Sequence, residues 1–167
     1  MRTLPEIVLL KKPHKREDFS CEIPSLNSYI KTQVSQDIKK KLATCFVAVN
    51  ENKEVIGYYT LTSYSLGRDV IPKKYLKKHL VNYSVPVILL GRLARHKSQR
   101  GTGLGEHLLL DALLRSYTVS AKTIIAMAIV ADPIDSYVET FYAKYGFVKL
   151  PESGKIFLPM KVVEQLL

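Results

Sequence analysis

The run Arg100-Gly101-Thr102-Gly103-Leu104-Gly105 alternates three glycines between an apolar stretch that ends at Ala94 and a helical pattern that opens at Leu104. Glycines let a backbone approach a ligand closely, and successive N–H groups at a helix N-terminus can converge on anionic oxygens. The chemistry this combination suits is the cradling of a phosphate or pyrophosphate. Spacing argues against two familiar phosphate loops. A P-loop needs GxxxxGK[ST], and no Lys-Ser or Lys-Thr pair follows these glycines. A dinucleotide fingerprint needs glycine three residues after Gly103, where Glu106 stands, and opens near the first strand of its fold.

Other side chains offer acid, base or nucleophile chemistry, each beside a plainer structural reading. Tyr142, four residues after Val138 and next to Phe141, reads either as a core aromatic or, with an ordinary pKa near 10, as a proton donor at neutral pH. Tyr145 reads as core. Asp132, Asp135, Glu139 and His96 have the right groups for a general base, although capping suits Asp135 and solvation suits Glu139 and His96. Cys21 and Cys45 fall in no CxxC or Cys/His pairing, so no zinc site and no disulfide is expected, and both read as reduced thiols. No metal is expected.

The elements that must position these residues follow from the hydrophobic pattern. A chain of 167 residues, 47% hydrophobic, has material for one core, and residues 1–167 read as a single domain without repeats. Leu26, Ile30, Val34 and Ile38 recur every four residues after Pro24, which predicts an amphipathic helix with Ser25 near its N-cap and Lys39, Lys40 and Lys41 at its C-terminal end. Residues 43–50 and 55–66, rich in Val, Tyr and Thr, predict a β-hairpin. A short lysine-rich helix is expected over 71–80, starting at Pro72. Residues 85–94 and 123–131 read as buried strands, the second broken by Asp132 and Pro133. Leu104 to Tyr117 and the stripe Ile134, Val138, Phe141, Tyr145 read as helices, with Gly146 at the C′ position of the second. Residues 147–150 and 156–162 are candidate closing strands. The alternation predicts an α/β fold on a mixed sheet.

Charge is unevenly placed. Residues 1–100 hold 19 Lys and Arg against 8 Asp and Glu, a balance of +11, whereas 101–167 hold 6 against 7. One basic cluster alone reads as a solvated surface, but several in a small domain favour a polyanionic ligand, either nucleic acid or a phosphorylated cofactor. The apolar runs are shorter than the ~20 residues a membrane helix needs, and Ile7 to Leu10 is too brief for a signal-peptide core, so a cytoplasmic protein without membrane association is expected.

Arg100, Gly103 and Gly105 carry the arginine, two residues, glycine, one residue, glycine pattern, and in this the chain resembles the GNAT acetyltransferases. Leu90-Gly91-Arg92-Leu93-Ala94 before the loop and Phe141 to Phe147 after it stand at the distances of that superfamily. With Asp18 to Cys21, Pro24 to Ile30 and the Gly57-Tyr-Tyr-Thr-Leu segment, the likeness narrows to the GNAT toxins of bacterial type II toxin–antitoxin modules, over roughly residues 14–150.

The resemblance implies the GNAT fold, a mixed and mostly antiparallel sheet splayed between its fourth and fifth strands with flanking helices. It implies acetyl-CoA as co-substrate, held by the backbone of Leu93, Ala94 and Arg95 and by the loop Arg100, Gly101, Thr102, Gly103, Leu104 and Gly105. Arg95, Lys97 and Arg100 would add countercharge. It gives Tyr142 the role of general acid toward the CoA sulfur. The implied substrate is the α-amine of aminoacyl-tRNA, with Lys39, Lys40, Lys41, Lys73, Lys74, Lys77, Lys78 and Arg92 as the tRNA surface; for Arg92 a partner's carboxylate is the alternative. A ribbon-helix-helix antitoxin and a homodimer are further implications. The competing reading is a GNAT enzyme for a small-molecule or protein amine with no toxin role.

Overall fold

The computed structural model describes residues 3–76, 84–151 and 153–167. The chain divides into two compact units, Met1–Thr62 with Gly91–Ala112 and Ser63–Leu90 with Leu113–Leu167. Three elements run covalently through both: strand β3 (Val55–Leu66), strand β4 (Val85–Arg95) and helix α3 (Leu104–Lys122). Among the described residues the strands follow the order β1-β2-β3-β4-β5-β7-β6. The sheet is mixed, as expected: β4 and β5 run parallel, whereas β1–β2, β2–β3, β5–β7 and β6–β7 are antiparallel.

In the first unit, β1 (Ile7–Leu9) and β2 (Thr44–Val49) pair antiparallel, and β2 continues antiparallel to β3 as the predicted hairpin. The register skips Ile56, so Val55 and Tyr58 both reach the same apolar cluster despite their odd spacing. That cluster also takes Phe19, Leu26, Tyr29, Ile30, Val34, Cys45 and Ala94. The helix over 24–39 supplies its lid, with the predicted four-residue stripe turned inward. It comprises α1 (Pro24–Ser28), a π-helical turn (Tyr29–Gln33) and α2 (Val34–Lys39). Its N-cap is Ile23, without a side-chain cap; Pro24 stands in the first turn, where its missing N–H costs nothing, and Ser25 is not the cap. Gly57 lets α3 close on β3, since a Cβ there would come within 2.9 Å of Leu108 and 3.2 Å of Leu104.

In the second unit, β5 (Ala128–Ala131) lies antiparallel to β7 (Ile156–Pro159), which pairs in turn with β6 (Val148–Lys149). Leu66, Val85, Val87, Ala128, Val130, Leu150 and Phe157 form its core. Helix α4 (Ser136–Ala143) begins at Asp135, whose carboxylate accepts from Val138 N–H at 2.9 Å. It ends before Gly146, which has φ +97° one position later than expected.

Three expectations are corrected. The helix over 71–80 is, in its described part, only a 3-10 turn at Lys73–Tyr75, because Leu76 turns extended at φ −112°, ψ 136° and packs with Tyr75 against the core. The strand over 123–131 shortens to β5: α3 runs on to Lys122, and Ile124 and Ile125 are 69% and 76% exposed. The strand over 156–162 stops at Pro159 and gives way to α5 (Met160–Leu166), which buries Met160 and Val163. Strand β1 carries no prior expectation. No helix among the described residues is long and apolar enough to cross a membrane.

Candidate active site

Strand β4 ends at Arg95 and leads through a 3-10 turn at Lys97–Gln99 into the glycine loop. Gly101 and Gly103 have φ of +73° and +84°, the left-handed region that side chains rarely adopt. Thr102 between them fastens the loop: its hydroxyl donates to the Gln99 carbonyl at 2.7 Å and accepts from Leu104 N–H at 3.3 Å. The first helical bond into Gly103 comes from His107 N–H, at 3.0 Å. The N–H groups of Gly105 and Glu106 therefore have no carbonyl of their own helix to meet.

A Cβ added at Gly101, Gly103 or Gly105 would meet nothing within 4 Å. Gly105 is the telling position. It sits in the first turn of α3, where alanine would be favoured by about 1 kcal/mol, and neither a positive φ nor a neighbouring atom demands glycine. Open space over orphaned N–H groups is the arrangement a closely approaching pyrophosphate requires.

Leu93, Ala94 and Arg95 lie immediately before this loop on β4. The β4–β5 ladder pairs Val87 to Leu90 with Ala128 to Ala131 and ends there. Strand β4 continues to Arg95, so these three residues have no β5 partner on that edge. Such an edge can pair with an extended amide chain.

The countercharges are unequally available. Arg100 Nε lies 2.6 Å from Glu22 Oε1, and both side chains are largely exposed. Its own backbone N–H, and then Arg100, hold the Glu22 carboxyl below its usual range. Lys97 is exposed and Arg95 half-buried. Arg92 is half-buried with its guanidinium 3.5 Å from the centroid of the Tyr29 ring. Lys39, Lys40 and Lys41 are exposed at the end of α2, and Lys73 and Lys74 on the 3-10 turn of the second unit; Lys77 and Lys78 lie outside the described residues.

Tyr142, on α4 in the second unit, is 5% exposed, whereas Tyr145, expected in the core, is only half-buried. Its ring meets Phe141 and Phe147 edge-on at 5.6 and 5.2 Å. Burial raises its pKa, and its hydroxyl has no hydrogen-bond partner among the described residues. The hydroxyl is thus not committed within the described protein and can be offered to a ligand.

The candidate bases are all engaged elsewhere. Asp135 caps α4, Asp132 pairs with Lys155 at 3.2 Å and Glu139 with Lys149 at 3.5 Å. His96 accepts from Ser98 N–H on Nδ1 and meets the Asp18 carbonyl with Nε2, which fixes it as the Nε2–H tautomer. Cys21 is buried, donates to the Ile23 carbonyl at 3.4 Å and has its pKa raised by burial, the opposite of an activated nucleophile. Among the described residues no cluster of three His, Cys, Asp or Glu could hold a metal ion. Sequence reasoning missed Tyr29 and Asp37, which nothing in the local pattern links to Arg92, and the fastening role of Thr102, foreshadowed by its place two residues before an apolar helix start.

No protein-family model matches the chain. The tRNA-acetylating toxin of Mycobacterium tuberculosis (strain ATCC 25618 / H37Rv) is 33% identical over 129 residues, 77% of this chain and 75% of that protein. A probable toxin TacT of Sinorhizobium fredii (strain NBRC 101917 / NGR234) is 25% identical over 162 residues, covering 92% and 90%. Among solved structures, a tyrosine-to-phenylalanine mutant of KacT superposes with TM-score 0.89 at 24% identity, over 99% of this chain and all of that one. AtaT complexed with acetyl-methionyl-tRNAfMet gives 0.86 at 25% identity, over 96% and 98%. A tyrosine-to-phenylalanine mutant of the AtaT toxin, bound to the C-terminus of the antitoxin AtaR and acetyl-CoA, gives 0.82 at 23% identity, over 96% of each.

Proposed function

The chain belongs to the family of tRNA-acetylating toxins with the GNAT fold, and from that premise we propose that it transfers acetyl from acetyl-CoA to the α-amine of aminoacyl-tRNA and thereby stops translation. The observation that carries this reading is the conjunction, in one unit, of a helix N-terminus left open over Gly103 and Gly105 with a β4 edge at Leu93 to Arg95 that the described β5 ladder does not reach.

Acetyl-CoA, when bound, supplies the acyl group as a thioester. The N–H groups of Gly105 and Glu106 hold its pyrophosphate, within the loop from Arg100 through Gly101, Thr102, Gly103 and Leu104 to Gly105. Arg95 and Lys97 add positive charge, and Arg100 does so on leaving Glu22. The backbone of Leu93, Ala94 and Arg95 pairs with the pantetheine amides. Tyr142 gives its proton to the departing sulfur, and burial keeps that phenol protonated far above neutral pH. In the balance, a nitrogen–carbon bond forms, the carbon–sulfur bond breaks, the amine loses a proton to solvent and the sulfur gains one. An α-amine has a pKa of about 7.7–8.0, and its neighbouring ester lowers it, so much of it is neutral without a strong base. The engagement of Asp132, Asp135, Glu139 and His96 in other bonds agrees with that.

Lys39, Lys40, Lys41, Lys73, Lys74 and Arg92 meet tRNA phosphates, the contacts that dominate nucleic-acid affinity. A ribbon-helix-helix antitoxin restrains the enzyme, residues 1–167 act as one acetyltransferase domain, and the enzyme is a homodimer. The presence of an antitoxin segment and of tRNA in structures of relatives supports the partner classes. The test is cell-free translation: purified protein arrests synthesis only when acetyl-CoA is supplied. Arrest without acetyl-CoA, or none with it, contradicts the proposal.

A further inference from the structure

Lys74 rests loosely over its neighbour's ring, Nζ 5.0 Å from the Tyr75 centroid, whereas Arg92 is held more closely. Its guanidinium stacks on the Tyr29 ring, 3.5 Å from the centroid, and it makes no hydrogen bond or ion pair with a described residue. Stacking engages the face of the guanidinium and leaves the in-plane N–H donors unspent. By contrast, Arg16 spends Nη1 on the Ile30 carbonyl and Ser35 Oγ, at 3.2 and 3.0 Å, and Arg100 spends Nε on Glu22. A half-buried planar fork with donors unspent matches the two oxygens of a phosphate.

The platform under Arg92 is itself built. The turn Tyr29–Gln33 is π-helical, with Val34 N–H bonded to the Tyr29 carbonyl five residues back. A π turn inserts one residue into the helical progression, so position i+8 takes the angular place of i+7 in an α-helix, nearly in line with i. That brings Asp37 beneath Tyr29, whose hydroxyl donates to Asp37 Oδ2 at 2.8 Å. The bonds from Arg16 to Ile30 and Ser35 clasp the same turn from outside. The ring is thereby fixed at both ends, at its backbone by the π turn and at its hydroxyl by Asp37.

We infer that Tyr29, locked by Asp37 across the π turn, is a positioning residue that holds Arg92 as a rigid anchor for a phosphate of the RNA substrate. The inference rests on the tRNA reading above. Lys39 lies ten residues beyond Tyr29 on the same helix, about 15 Å along its axis, so the helix that carries the platform for Arg92 also presents the exposed Lys39 and Lys40 at its end.

The experiment measures steady-state acetylation of charged tRNA, with acetyl-CoA affinity determined separately by calorimetry. Arg92→Lys, which keeps the charge and loses the fork, and Tyr29→Leu, which removes the platform, should each raise KM for charged tRNA about tenfold with kcat and the acetyl-CoA Kd nearly unchanged. Tyr29→Phe, which keeps the ring, should recover most of that loss. Arg92→Gln should lower the slope of log affinity against log salt by about 0.7, the single-strand value for one phosphate contact. Combined with Tyr29→Leu it should add little, since the two act as a unit. A wild-type KM in Arg92→Lys, or additive effects in the double variant, overturns the inference while leaving the tRNA reading intact. Failure of the unmodified protein to acetylate charged tRNA overturns that reading itself, and the anchor with it. If Tyr29→Leu does not fold, Arg92→Lys and the salt slope of Arg92→Gln decide the matter alone.

Discussion

Glu22 Oε1 receives a hydrogen bond from Arg100 Nε at 2.6 Å, joining the segment before α1 to the first residue of the glycine loop. The arginine that the loop offers a pyrophosphate is thus already neutralised in the protein alone, and a bound phosphate competes with Glu22 for it. Exposed pairs of this kind are worth about 0.2–1 kcal/mol. Glu22→Gln should therefore tighten acetyl-CoA binding by roughly 1.4- to fivefold at low salt, with the gain shrinking as salt screens it. Calorimetric titration at two ionic strengths checks this, and weaker binding in the variant contradicts it.

Gly105 sets stability against binding. Gly105→Ala should raise the thermal midpoint, by up to about 1 kcal/mol of added helix stability, because its Cβ meets no protein atom within 4 Å. The same methyl stands in the approach to the Glu106 and Gly105 N–H groups, so acetyl-CoA affinity should fall by about tenfold, some 1.4 kcal/mol. Thermal melts with and without acetyl-CoA separate the two effects. Unchanged affinity would show that the open space over Gly105 has no part in binding.

The phenol of Tyr142 has no described hydrogen-bond partner to lose, so Tyr142→Phe should leave the thermal midpoint in place while kcat falls about 10²- to 10⁴-fold, the usual worth of a general acid. Tyr58→Phe is the control. Its buried hydroxyl donates to the Leu26 carbonyl at 2.6 Å, and leaving that carbonyl unpaired should cost about 1–3 kcal/mol of stability. Chemical denaturation paired with turnover measurements distinguishes the two tyrosines.

Alkaline pH should weaken the fold before it impairs the acid. Burial raises the pKa of Cys45 from 9.0 to about 12 and also raises those of Tyr29, Tyr58 and Tyr142. Folded values above unfolded ones mean that the unfolded chain releases these protons first. The stabilisation is complete below about pH 9 and is lost as pH rises toward 12. The urea midpoint should fall steadily between pH 8.5 and 10.5, where a level midpoint would contradict the assignment.

How far the sequence disclosed this molecule depends on how local each requirement is. The loop at Gly101 to Gly105 is legible because backbone conformation and helix entry are set by adjacent residues. The helix over 24–39 is legible in its stripe, but its π turn is not, since a one-residue insertion barely disturbs a four-residue apolar spacing. Ile124 and Ile125 look like strand residues yet are exposed beyond the end of α3, because β-branched composition carries no record of where a preceding helix stops. Lys73 and Lys74 look helical, but Tyr75 and Leu76 gain more by packing on the core of the second unit than a short helix would return. The stack of Arg92 on Tyr29 joins positions sixty-three residues apart and belongs wholly to the tertiary structure.

The central claim is that the acceptor is the amine of an aminoacyl-tRNA. Incubating the protein with acetyl-CoA and a charged tRNA pool, digesting the RNA and weighing the aminoacyl-adenosines by mass spectrometry tests it most directly. The account predicts products heavier by one acetyl group, present with the wild type and strongly reduced with Tyr142→Phe. Unmodified aminoacyl-adenosine, in a reaction where acetyl-CoA is consumed on free amines instead, would contradict it.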